Sequence, residues 1–375
     1  MKIAYLSNSI IPSRRANSIH VMQIANALAK MGHDVFLYTP DHKNIDASVG
    51  NVFDYYGIPD SFALKKLFYP AIKGKTICYA LATAVELRRL RPDLVVGRSI
   101  HGCLISALMG FNTVFDSHGP VWEVDPGSVR LFRLMVRQSA LKRMTVNSHS
   151  LKQLYVNSKV FLGTNFNPEN IEVAFNGANE YPIDEYANLP GRKGSFKAGY
   201  FGHLYAGRGM EIISEVARDF PFIDFYIGGG EVEDIDYWKT VCQSGNIYFL
   251  GHLKHSEVYR YRNSCDLLLA PYQKVVSPGG SVGDQSAYMN PIKILEYMSS
   301  QKPIIASDLP TIREVLNDEN AILVSPDDLG AWACAIDFVY RNQDTARNLG
   351  ERAFKNFIGN YTWHTRAQKL ITNLI

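Results

Sequence analysis

The hydrophobic residues of this chain fall in short runs that end in polar residues, and longer amphipathic stretches separate these runs. Short apolar runs of this kind are typical of buried strands in parallel sheets. They lie at 2–7, 34–40, 93–99, 112–118, 143–148, 171–177, 196–202, 223–230, 247–251, 266–272, 303–307 and 321–325. Between them, helical spacing such as that over 19–32 predicts the crossover helices that parallel strands require. The pattern therefore predicts an α/β fold.

The alternation of strands and helices occurs twice, and a segment rich in Pro, Gly and charge separates the two parts at 182–195. We predict an N-terminal domain over 1–181, this linker, and a C-terminal domain over 196–359. Each domain is expected to be a doubly wound, Rossmann-like unit, and the two are expected to face each other across a cleft.

The segment from 290 to 316 predicts a helix, a tight turn, a buried strand and the start of a second helix. Asn290 is the expected N-cap, and Pro291 suits the first helical position. The helix dipole and the free amides near Ile292 then predict a site for an anion such as a phosphate. Glu296, about one turn further along, can accept two hydrogen bonds from a ribose. The segment thus predicts a nucleotide ligand.

This segment resembles the donor-binding core of the family-four glycosyltransferases, a retaining group with the GT-B fold. The residues that match the family pattern are Pro291, Lys293, Glu296, Pro303, Ser307, Asp308, Pro310 and Glu314. The resemblance covers most of the chain and is strongest over 195–330. It also implies that a final helix over 360–375 crosses back to the first domain. One position departs from it, because Tyr288 stands where the family has a glutamate that contacts the donor sugar. Tyr288 or Asp284, in the glycine-rich loop over 277–290, is expected to take over that contact.

A glycine-rich turn opens the second domain within 198–217. Gly202 lets the backbone approach a diphosphate, and Arg208 offers planar donors to its oxygens. The resemblance implies that Arg208, helped by His203 or Lys293, stabilises the diphosphate as it leaves, although His203 replaces the arginine usual in the family. It also places His252 near the base. The alternative is an ordinary structural turn in which Arg208 faces solvent.

His118 follows a predicted strand of the first domain. The resemblance implies that its imidazole contacts the donor sugar and the acceptor, and Asp116 or Glu123 is expected to orient it. Structural histidines are common, so a purely structural role is the alternative. No cluster of metal ligands and no Asp-x-Asp triplet is visible in the sequence, so we predict no metal and no other cofactor.

The first loop, over 7–20, lies where the family has its acceptor loop. Arg14, Arg15, Asn17 and Ser18 are therefore predicted to bind a sugar or a phosphate of the acceptor. The alternative for Ser18 or Asn17 is that it caps the helix over 19–32.

Charge divides the chain unequally. Residues 1–180 carry 20 Lys and Arg against 13 Asp and Glu, while the remainder carries 19 against 23. The basic half is expected to meet an anionic partner, either a membrane surface or a lipid-linked acceptor. Two basic groups are candidates for membrane contact, and nothing resembles a nucleic-acid-binding module. They are Arg130, Arg133 and Arg137 on one predicted helix, and Lys65, Lys66, Phe68, Tyr69, Lys73 and Lys75.

The five cysteines are scattered and odd in number, which favours a reducing, cytoplasmic location. No apolar run approaches the length that spans a bilayer, so any membrane contact is expected to be peripheral, at the inner face of the cell membrane. With these features, the resemblance implies a metal-independent retaining glycosyltransferase that uses a nucleotide-diphosphate sugar. The basic first domain and the habits of the resembled family favour a surface glycan or glycolipid as acceptor. The alternatives are a nucleotide-sugar epimerase of similar fold and a catalytically silent partner subunit.

Overall fold

The computed structural model of the protein describes residues 1–13, 15–42, 49–123, 126–277 and 284–374. The chain forms two compact units. One contains residues 1–177 together with the C-terminal segment 363–375, and the other contains residues 178–362.

The strands of the described residues are all parallel to their neighbours. In the first unit they are β1 (Lys2–Leu6), β2 (Asp34–Pro40), β3 (Ala63–Leu67), β4 (Leu94–Gly97), β5 (Thr113–Ser117), β6 (Leu141–Val146) and β7 (Glu172–Val173). In the second unit they are β8 (Phe196–Phe201), β9 (Ile223–Gly228), β10 (Ile247–Gly251), β11 (Leu267–Ala270), β12 (Ile304–Ser307) and β13 (Ile322–Val324).

Helices connect these strands. In the first unit they are α1 (Ala16–Lys30), α2 (Val52–Tyr55), α3 (Lys75–Leu90), α4 (Ile100–Leu108), α5 (Pro126–Val136), α6 (His149–Asn157) and the C-terminal α14 (Trp363–Ile371). In the second unit they are α7 (Met210–Asp219), α8 (Val232–Val241), α9 (Val258–Asn263), α10 (Ile292–Met298), α11 (Pro310–Arg313), α12 (Leu329–Arg341) and α13 (Gln343–Asn360). Among the described residues no helix is both long enough and apolar enough to cross a lipid bilayer.

In both sheets the order in which the chain adds strands reverses at the first strand. The described strands of the first sheet are ordered β3-β2-β1-β4-β5-β6-β7, and those of the second are ordered β10-β9-β8-β11-β12-β13. Starting from β1, and likewise from β8, the chain first adds strands on one side. It then returns and adds the remaining strands on the other side. In such sheets ligands bind outside the carboxyl ends of the strands at this switch point. The switch points are β1/β4 in the first unit and β8/β11 in the second.

The burial of the strands explains why they could be predicted from runs of apolar residues in the sequence. Strands such as β9 and β12 are buried along their whole length, because helices cover both faces of each sheet. In the second unit the core contains Tyr200, Trp238 and Trp332, all almost fully buried. The predicted fold class, an α/β protein with two Rossmann-like, doubly wound domains, is confirmed.

The sequence pattern missed β3 and misplaced the start of α1. Strand β3 has the sequence ALKKL and lies at the edge of its sheet, so its lysines reach solvent and obscure the apolar pattern. Helix α1 begins at Ala16, three residues before the predicted start, with Arg15 as its N-cap.

Candidate active site

The loops that follow β8 and β11 lie at the switch point of the second sheet, together with the start of α10. Gly202 directly follows β8, and its backbone N–H donates to the carbonyl oxygen of Gly228 over 2.8 Å. A Cβ atom at position 202 would lie 2.7 Å from Cε and 2.8 Å from Nζ of Lys293. Only glycine therefore allows Lys293 to lie against the backbone at the end of β8.

The Nζ group of Lys293 lies beside two aromatic rings. Its Nζ lies 3.7 Å from the ring centroid of Tyr200 and 5.0 Å from that of Tyr272, distances at which a cation is attracted to the ring face. The Nζ atom is buried and has no hydrogen-bond partner among the described residues. Burial lowers the pKa of Lys293 well below its usual value, the nearby Arg208 adds to the shift, and Glu296 opposes it.

Arg208 is half-buried beside the ring of Tyr272. Its guanidinium carbon lies 5.6 Å from the ring centroid of Tyr272, and its Nη2 donates to the carbonyl oxygen of Ser277 over 3.3 Å. Its Nε is buried, with no hydrogen-bond partner among the described residues. The turn is held in place by Gly209, where φ is +93° and a Cβ would lie 1.8 Å from the carbonyl oxygen of Pro271. The alternative with Arg208 facing solvent does not fit this packing.

His203 completes the turn as a neutral group. Its ring stacks on Tyr205, with centroids 4.8 Å apart. Burial lowers the pKa of His203, and Arg208 and Lys293 lower it further. At neutral pH His203 can donate or accept a hydrogen bond but adds no positive charge, so the two side chains at this edge that can carry positive charge towards a ligand are Arg208 and Lys293.

Glu296 lies one turn along α10 from Lys293, on the same face of the helix. Its Oε2 lies 3.3 Å from Nη1 of Arg262, which is almost fully buried, and a fifth of the Glu296 side chain is exposed. Nε of Arg262 donates to Oγ of Ser300 over 3.3 Å. The carboxylate of Glu296 is therefore paired with a buried arginine on one side and accessible to solvent on the other. The half-buried ring of His255 lies close enough to feel this charge, so that desolvation lowers the pKa of the histidine and Glu296 raises it.

The start of α10 differs from the prediction by one residue. Pro291 is the N-cap, with extended backbone angles, and Ile292 is the first helical residue. Asn290 is buried and does not cap the helix, because the helix begins one residue later than predicted. The helix is seven residues long, so the case for an anion site here rests on the side chains of Arg208 and Lys293.

The remaining residues that were predicted to bind the sugar donor lie in loops and turns. Tyr288 is half-buried in a turn, where its backbone N–H donates to the carbonyl oxygen of Gln285 over 3.1 Å. Asp284 closes the ends of the preceding loop, since its Oδ1 accepts from the backbone N–H groups of Val276 and Ser286. Gly279 and Gly280, in the glycine-rich loop predicted over 277–290, lie outside the described residues. His252 is exposed after β10.

In the first unit, His118 follows β5 and belongs to a buried polar network. Its Nε2 lies 2.9 Å from Oδ2 of Asp116 and 2.9 Å from Nη2 of Arg366. Arg366, on α14, also donates to both carboxylate oxygens of Asp116, over 2.9 and 2.8 Å. Asp116 is therefore the residue that orients His118, and Glu123 is exposed in a separate turn.

Burial, with a smaller contribution from the neighbouring arginines, keeps both histidines of this network neutral. Burial lowers the pKa of His118 to about 3, and the guanidinium of Arg98 acts in the same direction. Burial alone would raise the pKa of Asp116, but Arg366 and His118 hold it well below its usual value. His20, on α1, packs edge-on against His118 with ring centroids 4.5 Å apart, and burial lowers its pKa well below the usual value.

His20, Asp116 and His118 form a group whose possible ligand atoms lie within 4.8 Å of one another. The expectation that the chain holds no cluster of metal ligands was therefore wrong, because α1 brings residue 20 beside residues that follow it by about a hundred positions. Arg366 already pairs with the only carboxylate of this group, and Arg98 lies close by. A further cation there would meet two guanidinium groups, so the network is better suited to hydrogen bonding than to metal binding.

The predicted acceptor residues divide into accessible and buried ones. Arg15 and Asn17 are exposed at the start of α1, and Arg14 lies outside the described residues. Ser18 is fully buried, and its Oγ donates to the carbonyl oxygens of Ser13 and Arg15 over 2.7 and 2.8 Å. The structure corrects the prediction for Ser18, which has no surface to offer an acceptor. Neither Asn17 nor Ser18 is the helix cap.

Two family models match the chain. The model for Glycosyltransferase Family 4 matches residues 18–180, and the model for Glycosyl transferases group 1 matches residues 197–342. The chain belongs to the family-four glycosyltransferases. The predicted family is therefore confirmed, and the two matched ranges lie one in each compact unit.

Solved structures with the same two-domain GT-B fold cover nearly the whole of this family-four chain. Sucrose-phosphate synthase from Thermosynechococcus elongatus has a TM-score of 0.74 at 17% identity, over 98% of this chain and 97% of its own. Anabaena HepE in complex with UDP-glucose has a TM-score of 0.68 at 15% identity, over 100% and 99%. WaaG, a glycosyltransferase involved in lipopolysaccharide biosynthesis, has a TM-score of 0.64 at 14% identity, over 98% of each chain. No curated protein sequence matches the chain.

Proposed function

We propose that this glycosyltransferase transfers a sugar from a nucleotide-diphosphate sugar to an acceptor hydroxyl. The observation that carries the proposal is the pair of cations at the β8/β11 switch point. Lys293 and Arg208 each bury a nitrogen that has no hydrogen-bond partner among the described residues. Burial disfavours the charged form of Lys293, and a diphosphate bound beside it and Arg208 would favour that charge again and neutralise it.

The proposed roles follow from position. Arg208 and Lys293 bind the diphosphate, Gly202 gives it access to the backbone, and Glu296 accepts hydrogen bonds from the ribose. As the sugar leaves, negative charge grows on the diphosphate, so fixed donors stabilise the transition state more than the ground state. His203 contributes a neutral hydrogen bond. The Anabaena protein of the same fold holds UDP-glucose, which supports a nucleotide-sugar donor here.

Finer parts of the proposal rest on the family resemblance. They are retention of anomeric configuration, a hexosyl donor that Tyr288 contacts, and a base near His252. His118, held neutral by its surroundings, would hydrogen-bond hydroxyl groups of the sugars. We also propose that the reaction uses no metal, because the side chains at the switch point supply the positive charge themselves.

We propose an acceptor from surface polysaccharide or glycolipid biosynthesis. WaaG, of the same fold, acts in lipopolysaccharide biosynthesis, and the first half of the chain is basic. Such acceptors are assembled on lipids at the inner face of the cell membrane, so the protein is proposed to be cytoplasmic and peripherally bound there. Nucleic acid is not proposed as a partner.

One surface of the first unit supports membrane contact. Exposed apolar side chains occur at intervals over 68–85, and each has between 49% and 66% of its surface exposed. They are Phe68, Ile72, Ile77, Leu81 and Val85. The last three lie four residues apart on α3 and so share one face. Residues 65–91 carry seven Lys and Arg against a single acid, Glu86, which pairs with Lys65 and Arg89. Apolar side chains flanked by basic ones favour anionic lipid.

The second basic group predicted from the sequence does not support membrane contact. Nε and Nη2 of Arg133 donate to the carbonyl oxygens of Val160 and Lys159, each over 2.9 Å. Nη2 of Arg137 donates to the carbonyl oxygen of Gly163 over 2.8 Å. These arginines hold the segment after α6, and of the three only Arg130 is left for another role.

The experiment that tests the proposed function is a panel of UDP-, GDP- and ADP-sugars, incubated with the protein with and without a lipid-linked glycan acceptor. Donor binding should raise the unfolding temperature by mass action, and it identifies the base. Release of nucleoside diphosphate that the acceptor accelerates supports the transferase. An epimerase would convert the donor without acceptor, and a silent subunit would bind it without turnover. Either of these results would contradict the proposal.

A further inference from the structure

Arg98 is a cation of the first unit that no other described residue neutralises. It directly follows β4, at the switch point of the first sheet, and it is half-buried. Its Nη1 lies 3.4 Å from Nδ1 of His20. Among the described residues, no carboxylate lies within ion-pair distance of its guanidinium group.

The acid that acts on Arg98 is Asp116, and it is already satisfied. Arg366 donates to both of its oxygens, and Oγ1 of Thr145 donates to Oδ1 over 2.8 Å. His118 lies beside Oδ2 at 2.9 Å. The carboxylate therefore balances one guanidinium group, and the network still carries the charge of Arg98.

A positive charge that is partly removed from water and has no counterion is unfavourable, and proteins rarely keep one without a ligand. The groups around Arg98 cannot supply the missing negative charge. Burial keeps His20 neutral, and its Nε2 is buried with no hydrogen-bond partner among the described residues. Burial likewise raises the pKa of Tyr5, whose hydroxyl oxygen is also buried and has no such partner in the described part of the chain.

We propose that Arg98 binds an oxyanion, a phosphate or a carboxylate, at the carboxyl edge of the first sheet. A guanidinium group suits this ligand because its planar N–H donors match the geometry of such oxygens. Arg98 is close enough to His118 for its charge to lower the histidine pKa. If the proposed function holds, the anion is part of the acceptor and lies beside the histidine that contacts the sugars. An acceptor that is a lipid phosphate or an acidic sugar then fits, and a neutral one does not.

The test uses inorganic phosphate and acetate as separate probes, followed by calorimetric titration of the full-length protein. Both titrations are done in an Arg208→Gln background, so that phosphate bound at the donor site does not obscure the result. Arg98→Gln should weaken binding of at least one probe by about tenfold or more, the range for loss of a charged hydrogen bond. Arg98→Lys should restore part of it. Arg218→Gln, at an exposed arginine on α7, is the matched control and should change nothing.

Loss of phosphate affinity indicates a phosphate-bearing ligand, and selective loss of acetate affinity indicates a carboxylate. Unchanged affinity for both probes, or no binding of either to the Arg208→Gln protein, would overturn the proposal. If Arg98→Gln does not fold, the same decision follows from stabilisation of the Arg208→Gln protein against heat by each probe, compared with its Arg98→Lys form. No sugar donor is present in these titrations. They can therefore disprove the anion site without affecting the proposed transferase activity. In the same way, the transferase assay can fail without affecting the anion site.

Discussion

The Nζ atom of Lys293 lies 3.7 Å from the ring centroid of Tyr200. Most buried lysines pair with a carboxylate, which would use up their hydrogen bonds. Here the ring face attracts the ammonium charge, and no described residue accepts a hydrogen bond from Nζ, so its N–H groups can donate to a ligand. We propose that this contact makes the end of β8 a site for an anion, and the contact in this form requires glycine at position 202.

We predict that Gly202→Ala weakens nucleoside diphosphate binding. The added Cβ would overlap Cε and Nζ of Lys293, so the ammonium group must move away from the Tyr200 ring. The end of a lysine side chain can move at little cost, so the expected loss is that of its charged hydrogen bond to the ligand, roughly 1.5–3 kcal/mol. Gly245→Ala is the control, because a Cβ there meets nothing within 4 Å. Equal affinities for the two variants in calorimetry would contradict the placement of the diphosphate beside Gly202.

We predict that Glu296→Gln and Glu296→Ala weaken nucleoside diphosphate binding and leave pyrophosphate binding unchanged. The ribose would lose a charged acceptor worth roughly 1.5–3 kcal/mol, which is about a tenfold to hundredfold loss of affinity. Pyrophosphate has no ribose, so it separates the ribose contact from a general effect on the site. If both ligands lose affinity equally, Glu296 acts through Arg262 and the fold rather than through the ribose.

We predict that chelators leave the rate of sugar transfer unchanged. The charge of the diphosphate would be balanced by Arg208 and Lys293, so no cation is required at the switch point. The measurement compares turnover in excess EDTA with turnover after magnesium or manganese is added back. Activity that disappears in EDTA and returns with a metal would contradict metal independence and direct attention to the group of His20, Asp116 and His118.

We predict that the free energy of unfolding falls as the pH falls from 7 to 5. Unfolded His118 takes up a proton near its usual pKa of 6.5, while folded His118 resists protonation down to about 3. Protons therefore favour the unfolded state over this window, by about 1.4 kcal/mol per pH unit for one fully shifted group. His20 is shifted in the same direction.

His118→Gln should make the pH dependence shallower, and His364→Gln, at an exposed position of α14, should leave it unchanged. The measurement is denaturant unfolding at several pH values above the range where carboxylates titrate. A slope that is the same for wild type and His118→Gln would mean that His118 is not held neutral in the folded protein.

The sequence was sufficient where local pattern decides the structure. The segment that contains α10 and β12 was predicted almost residue for residue, because its apolar residues are buried and proline marks its boundaries. The errors arose at a helix boundary and at a sheet edge, where the apolar pattern is weakest. Helix α10 begins one residue later than predicted, so Asn290 does not cap it, and β3 was missed because its lysines reach solvent at the edge of the sheet.

The partners of the site residues could not be predicted, since folding brings them from distant parts of the chain. Arg366 meets Asp116 across 250 positions, and Arg262 reaches Glu296 from a different helix. The rings of Tyr200 and Tyr272 look like ordinary strand residues in the sequence. Their role as the walls around Lys293 appears only when β8 and β11 lie side by side.

The most direct test of the proposed function is the effect of Arg208 on turnover. If Arg208 stabilises the leaving diphosphate, its loss should lower kcat more than it weakens donor binding, because the negative charge is greatest in the transition state. For Arg208→Ala we expect kcat to fall by about a hundredfold or more, with partial recovery in Arg208→Lys, which restores the charge without the planar donors. The measurement is kcat and donor affinity for the three proteins. A near-normal kcat for Arg208→Ala would contradict the account.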